Sequence, residues 1–397
     1  MWRIVRFVAL VLVFAPRGAQ AQDLPAALSD RAQISLVTCS PGQELYSTFG
    51  HSALRVQDPA TGLDVAFNWG TFDFSTENFY LKFMRGHLLY RLSISPFDWF
   101  MEDYVRQKRG VTEQVLALTT DQRSALYAAM RENARPENRD YLYDFYFDNC
   151  ATRIRDLLED ALGDDMAYRF PPPDDKTFRD YLDEYVDHLV WVDLGFDLIL
   201  GINSHRHADH RASMFLPDYL MDHLGDATVD GRPLVGSSTV LLPWPTDPPA
   251  RPPLFLRPVT LAWILFVLLL LPAGIELRRG RPFPGIDATL FTIVGLLGAL
   301  FLVMWVATAH HSTYANLNMF WAVPLLFLVV PLLRRVIGRR AWVMLAVLAM
   351  VPILGWFILP QSFHPAVAPL IGVLVTRYVV GWFTRSDGRA SASASAP

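Results

Sequence analysis

Cysteine is scarce in this chain, whose 397 residues contain only Cys39 and Cys150. At most one intramolecular disulfide is therefore possible. The sequence also lacks an excess of positive charge, since its net charge is −4, and no internal repeat stands out. Because surfaces that bind nucleic acids are basic, the composition gives no indication of a nucleic-acid partner.

The amino terminus has the pattern of a secretory signal peptide. Arg3 and Arg6 precede an apolar run at 7–14, and the sequence AQA at 19–21 is a small-residue cleavage signature. The pattern predicts that residues 1–21 are a signal peptide and that the following segment is exported. An uncleaved anchor is the alternative, although the apolar run is short for a spanning helix.

The carboxyl-terminal third consists of apolar stretches separated by short loops. Each stretch is close to the ~20 residues that a transmembrane helix needs. They cover 259–275, 286–308, 318–334, 341–360 and 365–383. The sequence therefore predicts an all-α bundle of five transmembrane helices over residues 259–383.

Arginines mark alternate loops of this bundle. The loop at 278–281 reads RRGR and arginines surround 334–340, whereas the loops at 309–316 and 360–365 contain neither lysine nor arginine. By the positive-inside rule the arginine-rich loops are cytoplasmic, which places the amino-terminal domain outside. The segment 384–397, which ends in SASASAP, is predicted to be a disordered cytoplasmic tail.

The segment 22–165 mixes strand and helix patterns without strict alternation, which is typical of an α+β domain. Strand patterns lie at 33–38, 52–57, 63–69, 87–94 and 111–118. Helix patterns lie at 76–85, 96–108, 120–134 and 150–162. Residues 166–240 have the pattern of a helical extension, and the proline-rich segment 241–258 is typical of a semi-rigid spacer.

Cys150 stands at the predicted start of a helix, directly after the capping residues Asp148 and Asn149. The free amides and the positive dipole of a helix amino terminus favour a thiolate, and they can also serve as half of an oxyanion hole. A buried structural cysteine, or a disulfide to Cys39, is equally compatible with this pattern.

A thiolate nucleophile needs a base, and two histidines stand at predicted strand starts. His51 follows a glycine turn in YSTFGHSALRV (46–56), and His87 opens the strand pattern at 87–94. A histidine at the mouth of a strand reaches the sheet edge, where a helix amino terminus can meet it. A histidine that only satisfies a turn remains the alternative for His51.

Four motifs in order resemble the Lnb N-terminal periplasmic domain family. They are FGHSALRVQD (49–58), FNWGTFDF (67–74), NFYLKFMRG (78–86) and DNCATRIRD (148–156), and the resemblance covers most of 33–160. MFLPDYL (214–220) and NLNMFWAVPL (316–325) extend it. The resemblance implies a bacterial lipoprotein acyltransferase with a circularly permuted papain-like, NlpC-type fold, in which Cys150 is the nucleophile and His51 its base.

A third group is needed to orient the imidazole. Asn68, at the end of the next strand pattern, is the first candidate, and Asp73 is the second. Tyr46, just before the His51 turn, is a candidate for the oxyanion hole or for substrate contact, with a packed tyrosine as the alternative. Trp69, beside Asn68, is a further candidate for substrate contact.

The sequence SHRHADH (204–210) offers three histidines and an aspartate, which are credible zinc ligands. The metallo-β-lactamase fold that uses such a run needs further ligands far downstream, and His223 is the only histidine between the run and the apolar stretches. We therefore predict no metal and no cofactor. In the loop at 309–316, His310, His311 and Asn316 are candidates for a lipid-head-group pocket, with an ordinary interfacial loop as the alternative.

These observations predict a thiol acyltransferase of the bacterial inner membrane, multi-pass, with its large amino-terminal domain in the periplasm. Its expected substrates are phospholipids or lipoproteins, which form an acyl-thioester on Cys150. Two alternatives remain open at this stage. One is a cysteine amidase or peptidase of cell-wall peptides, and the other is a non-enzymatic envelope binding module that a Cys39–Cys150 disulfide stabilises.

Overall fold

The computed structural model describes residues 24–245 and 250–384. The predicted signal peptide at 1–21 lies outside the described residues, as does all but the first residue of the predicted tail at 384–397. The described chain consists of a mixed α and β amino-terminal domain followed by a helical membrane region.

A seven-stranded antiparallel sheet organises the amino-terminal domain, in the order β10-β5-β1-β2-β3-β4-β6. All five predicted strand runs are strands of this sheet. The strands are β1 (Gln33–Cys39), β2 (His51–Asp58), β3 (Leu63–Thr71), β4 (Leu89–Pro96), β5 (Val111–Leu116), β6 (Asp140–Leu142) and β10 (Val235–Leu242). A small second sheet contains β7 (Met166–Ala167), β8 (Thr228–Val229) and β9 (Arg232–Pro233).

Helices cover both faces of the large sheet, because its strands alternate apolar side chains between two cores. The helices of this domain are α1 (Phe79–Arg85), α2 (Phe97–Gln107), α3 (Thr120–Asn133), α4 (Cys150–Leu162), α5 (Phe178–Val186), α6 (Val190–Ile199), α7 (His210–Ser213) and α8 (Pro217–Asp226). Leu36 and Leu54 pack with α3, α4 and α8 in one core. Val37 and Ala53 pack with α2 in the other.

The segment 166–240 is not purely helical, in contrast to the sequence prediction. Four helices occupy its middle, but its end belongs to β10, which pairs with β5 at the edge of the large sheet. The strand continues into the predicted spacer as far as Leu242. Val235, Thr239 and Val240 in this stretch are β-branched, so the strand preference was present in the sequence.

The described part of the membrane region contains five α-helices, of which three are long and apolar enough to span a membrane. These three are α9 (Pro258–Arg279), α10 (Pro284–Val306) and α13 (Val367–Thr384). Two shorter helices, α11 (Leu326–Ile337) and α12 (Arg340–Leu354), lie between α10 and α13 along the chain. The prediction of five complete spans therefore stays a prediction.

The predicted third stretch at 318–334 is irregular in its first half. A short 3₁₀ helix (Leu317–Phe320) precedes α11, and Pro324 between them lacks the N–H that a continuous helix would need. This segment packs tightly on α10, where a Cβ on Gly298 would lie 1.9 Å from the carbonyl oxygen of Ala322. Irregular backbone at membrane depth is tolerated where it is buried in protein.

A buried ionic group joins three helices of the bundle. The Arg377 guanidinium on α13 donates to Asp287 Oδ1 and to Glu276 Oε1, each at 2.8 Å. All three side chains are buried. Since a charge in a low-dielectric interior is costly unless it is paired, this group couples the first, second and last helices of the region.

We expect Arg377→Met to destabilise the protein by about 3–5 kcal/mol, because it removes the cation that two buried carboxylates share. Thermal unfolding of the detergent-solubilised protein measures the change as a lower midpoint. The matched control neutralises all three groups (Arg377→Met with Glu276→Gln and Asp287→Asn) and should lose less. An Arg377→Met protein as stable as the parent would contradict the assignment.

Candidate active site at the amino end of helix α4

Asn149 fixes the first turn of α4. Its Oδ1 accepts from the backbone N–H groups of Ala151 and Thr152 at 2.8 and 2.9 Å, and the Thr152 hydroxyl accepts from the Asn149 N–H. The Asn149 amide also donates to the carbonyl oxygens of Phe145 and Phe215. This reciprocal capping box holds Cys150 at the first helical position, as the sequence predicted.

His51 and Asn68 meet Cys150 at this helix end. A hydrogen bond joins the Cys150 thiol and the His51 ring, and His51 Nε2 lies 2.6 Å from Asn68 Oδ1. Since a carboxamide oxygen only accepts, Nε2 carries the proton, and Nδ1 is left to face the cysteine. The structure therefore brings together the three residues that the sequence proposed as catalytic.

The electrostatics of the pair favour a thiolate and an imidazolium. Burial opposes ionisation of Cys150, but the charge of His51 and the hydrogen bond with it outweigh burial, so the pKa of the thiol falls below its usual 9.0. Burial also opposes protonation of His51. The Cys150 charge and the Asn68 hydrogen bond outweigh it, so the pKa of His51 rises above its usual 6.5.

Backbone groups complete the environment of the sulfur. The backbone amides of Ser52 and Ala151 lie near the sulfur and contribute to the lowered pKa of the thiol. Gly70 lies opposite, where an added Cβ would be 3.8 Å from the Cys150 Cβ and 3.9 Å from His51 Cε1. The φ of Gly70 is 93°, and β3 shifts register against β4 between Asn68 and Thr71. A glycine in this bulge leaves open space beside the pair.

Cys39 does not take part in this group. Both cysteines are free, so the structure lacks the disulfide that the structural alternative requires. Cys39 is fully buried in the core on the α2 side, whereas Cys150 packs against the core on the α4 side. Burial raises the pKa of the Cys39 thiol to about 12.

A cavity of about 330 Å³ lies beside the site, between the amino-terminal domain and the membrane region. Its walls are mainly aromatic and aliphatic, and include Phe49, Phe83, Leu88, Tyr90, Tyr143, Phe145, Phe196, Leu200 and Met304. Phe49 lies two residues before His51, and the run from Tyr143 to Tyr146 ends four residues before Cys150. Tyr90 and Tyr143 of its wall also pack against the same core as Cys150, so the Cys150–His51 pair lies near this apolar space.

Several sequence candidates lie elsewhere. Trp69 is only 1% exposed, and its indole donates to Asn133 at the end of α3, so the structure places it in the core rather than on a surface open to substrate. Tyr46 is 74% exposed, and among the described residues no hydrogen bond joins it to the site. The Asp73 carboxylate accepts from the Ser75 N–H rather than from His51. His87 is exposed after the end of α1.

The three loop candidates near the membrane have different positions. His310 and His311 line the cavity, and His311 also pairs with Asp144 at 2.9 Å. Asn316 is buried, and its amide donates to the carbonyl oxygens of Leu198 and Ile199. Asn316 therefore holds the two domains together, which corrects its prediction as a head-group contact.

Hydrogen bonds of the main chain strengthen this junction. The Gly201 N–H donates to the Ser312 carbonyl at 2.9 Å, and the same carbonyl accepts from the Ser204 hydroxyl. A Cβ on Gly201 would lie 2.0 Å from the Tyr314 carbonyl oxygen. Gln361 donates to the Leu200 carbonyl from a third loop. The amino-terminal domain is thereby docked on the membrane region at close range.

The histidines of SHRHADH do not converge in the described chain. His207 and His210 contact the carbonyl oxygens of Asp174 and Pro172, and Asp209 caps α7. His205 Nδ1 instead accepts from the Ser362 N–H at the domain junction.

A different set, Asp193, Asp197 and His364, places possible ligand atoms within 4.8 Å of one another. The Arg179 guanidinium bonds both carboxylates of that set, at 2.7 Å for Asp197. The set is therefore an ion-pair cluster around an arginine.

Sequence reasoning missed Gly70, the Ser52 amide and the cavity. Gly70 carried a signal, because a glycine inside a strand pattern often marks a bulge or a close approach. Ser52 offers only its backbone, which no side-chain pattern reveals. The cavity draws residues from distant segments, and its lining follows from the docking of two domains.

Two family models match the chain, one after the other. The model of the Lnb N-terminal periplasmic domain matches residues 24–180, and the model of the Lnb transmembrane domain matches residues 251–387. No curated protein and no solved structure is significantly similar to the chain. The two matches together span most of the chain and lie on either side of the helical extension. The chain therefore belongs to the Lnb family, as an integral membrane protein with a periplasmic amino-terminal domain.

Proposed function

We propose that this protein is a thiol acyltransferase that moves acyl groups of lipids or lipoproteins at the outer face of the cytoplasmic membrane. The observation that carries the proposal is the geometry of Cys150, His51 and Asn68. A cysteine at a helix amino terminus, with a lowered pKa and a histidine that a third group orients, is the arrangement of an activated nucleophile. The family name agrees with this activity.

The reaction takes place in two steps on Cys150. The thiolate attacks the carbonyl carbon of an acyl ester, a carbon–sulfur bond forms, and the carbon–oxygen bond breaks as the alcohol leaves with the proton of the His51 imidazolium. An acceptor amine then attacks the thioester and gives its proton to His51, while the thiolate leaves. The amides of Ser52 and Ala151 are near enough to the sulfur to stabilise charge as it develops there.

The cavity between the two domains supports an acyl substrate. Aromatic and aliphatic side chains dominate its walls, which come from the amino-terminal domain near Cys150 and from the membrane region. Burying an acyl chain there removes about 0.8 kcal/mol of unfavourable hydration for each methylene group. A polar cell-wall peptide would gain nothing from such walls.

We further infer a circularly permuted papain-like core and a five-span arrangement in the inner membrane. The core is supported by the chain order, with the histidine strand β2 and the Asn68 strand β3 preceding the cysteine helix α4. The five spans are supported by the two further apolar helices α11 and α12, which lie between α10 and α13 along the chain. The arginine-rich loops at 278–281 and 334–340 then face the cytoplasm.

We expect Cys150→Ala to abolish acyl transfer, because no thioester can form. His51→Ala should lower kcat/KM by about 10²–10⁴-fold, which is the usual contribution of a general base. Purified full-length protein, a phospholipid donor and a lipopeptide acceptor, with mass spectrometry of the products, provide the measurement. Cys39→Ala is the matched control and should remain active. Full activity of the Cys150→Ala protein would refute the proposal.

The pH profile of kcat/KM is expected to be bell-shaped. The thiolate is present above the lowered pKa of Cys150 and is lost as the pH falls through it, so the acid limb lies below pH 9.0. The imidazolium is present below the raised pKa of His51 and is lost as the pH rises through it, so the alkaline limb lies above pH 6.5. Initial rates across this range test both limbs. An acid limb at or above pH 9.0 would be inconsistent with a His51-activated thiol.

Asn68 is expected to act as a positioning residue through His51. Asn68→Leu removes the acceptor of the Nε2 proton, so it should lower kcat and move the alkaline limb to lower pH. Asn68→Asp keeps an acceptor and adds a negative charge, so it should move that limb to higher pH. The two pH profiles together make the measurement. Equal profiles for both variants would mean that Asn68 only packs against the ring.

A further inference from the structure

A group of large apolar side chains is exposed on α1 and on the loop before it. The group, here called the α1 patch, consists of Phe74, Tyr80, Leu81, Phe83 and Met84. Tyr80 is 71% exposed and Met84 is 59% exposed within the described part of the chain. A contiguous apolar surface of this kind on an exported domain marks an interaction site rather than a solvated face.

The α1 patch is attached to the end of a membrane helix. The Ala309 N–H donates to the Arg85 carbonyl at 2.9 Å, and His310 Nε2 lies 3.2 Å from the carbonyl oxygens of Phe83 and Met84. Helix α10 ends at Val306, only three residues before Ala309. Three residues reach at most about 10 Å, so the end of α1 lies close to the end of α10.

Exposed apolar side chains in the last turn of α10 indicate the level at which the helix leaves the membrane. Val306 is 67% exposed, and Val303 is also exposed, so the helix presents apolar side chains to its surroundings up to its end. Because α10 is long and apolar enough to span a membrane, we expect these exposed side chains to contact lipid. The exposed apolar surface of α1 therefore continues a surface that already faces lipid.

The charges of α1 match a phospholipid surface. The helix carries Lys82 and Arg85 and no acidic residue. Long basic side chains place their stems along apolar surface and their charges at the level of phosphate groups. An amphipathic segment with basic and aromatic residues is the composition that binds in the membrane interface.

We infer that the α1 patch inserts into the leaflet of the bilayer on the side of the amino-terminal domain. Phe83 belongs to the patch and also lines the cavity beside Cys150. The leaflet therefore adjoins the side of the cavity that Phe83 of α1 and Met304 of α10 line, and a lipid chain enters it sideways without crossing water. This membrane contact is independent of the acyl transfer proposed above.

The test places an environment-sensitive nitrobenzoxadiazole label on the patch of the full-length protein in phospholipid nanodiscs. Met84→Cys is made in a Cys150→Ser background, where the remaining Cys39 is buried and its raised pKa of about 12 keeps it unlabelled. The matched control is Ala60→Cys in the exposed β2–β3 hairpin. Strand β2 begins at His51 and ends at Asp58, so this hairpin lies at the end of the strand opposite His51 and far from the site. Lipids that carry a nitroxide on the acyl chain and aqueous iodide are the two quenchers.

We expect lipid nitroxide to quench the Met84→Cys label several-fold more than the Ala60→Cys label, and iodide to show the reverse order. Tyr80→Cys should behave like Met84→Cys, which guards against a local artefact at one position. If iodide quenched the patch label as strongly as the control label, the patch would be in water and the inference would fail. Protection from both quenchers would also overturn it, in favour of a second copy of the chain. Neither readout requires acyl transfer.

Discussion

The hydrogen bonds that join residues 198–204 to the loop at 311–318 are the constraint on which the position of the amino-terminal domain on the membrane region depends. Gly201 pairs with Ser312 through the main chain, and a side chain on Gly201 would collide with the Tyr314 carbonyl. Leu200 and Ser312 both line the cavity. The docking of the two domains therefore also encloses the apolar space, and it sets the distance of Cys150 from the membrane helices.

Local signals in the sequence predicted the positions of Cys150, His51 and Asn68, whereas the catalytic roles of Cys150 and His51 were implied by the family resemblance and stay predictions. Asn149 followed by Cys150 is a capped helix start, and His51 and Asn68 lie near the ends of two consecutive strands. Adjacent antiparallel strands bring such ends together. Five strands of the large sheet were equally readable, because they are short runs rich in apolar and β-branched residues.

The structure differs from the sequence analysis where the position of a residue depends on partners far away in the chain, or on which face of a strand its side chain points to. Trp69 follows Asn68 directly, and consecutive strand residues point to opposite faces, so only one of the two can lie at the site. Asn316 looks like a polar residue at a membrane boundary, but its partners are the carbonyls of Leu198 and Ile199, more than 100 residues earlier. The edge strand β10 lies beside β5 only after the whole domain has folded, which the sequence between them does not reveal.

The order of the segments along the chain also determines the order in which the Cys150–His51 pair and the cavity beside it can form. His51 and Cys150 are synthesised before α9 and α10, whereas Met304 lies near the end of α10 and His310 and Ser312 follow it. A nascent chain can therefore form the thiol–imidazole pair while it still lacks the wall that closes the cavity. Since Met304, His310 and Ser312 belong to that wall, the cavity is complete only after α9 and α10 have been synthesised, so the Cys150–His51 pair precedes the apolar space beside it.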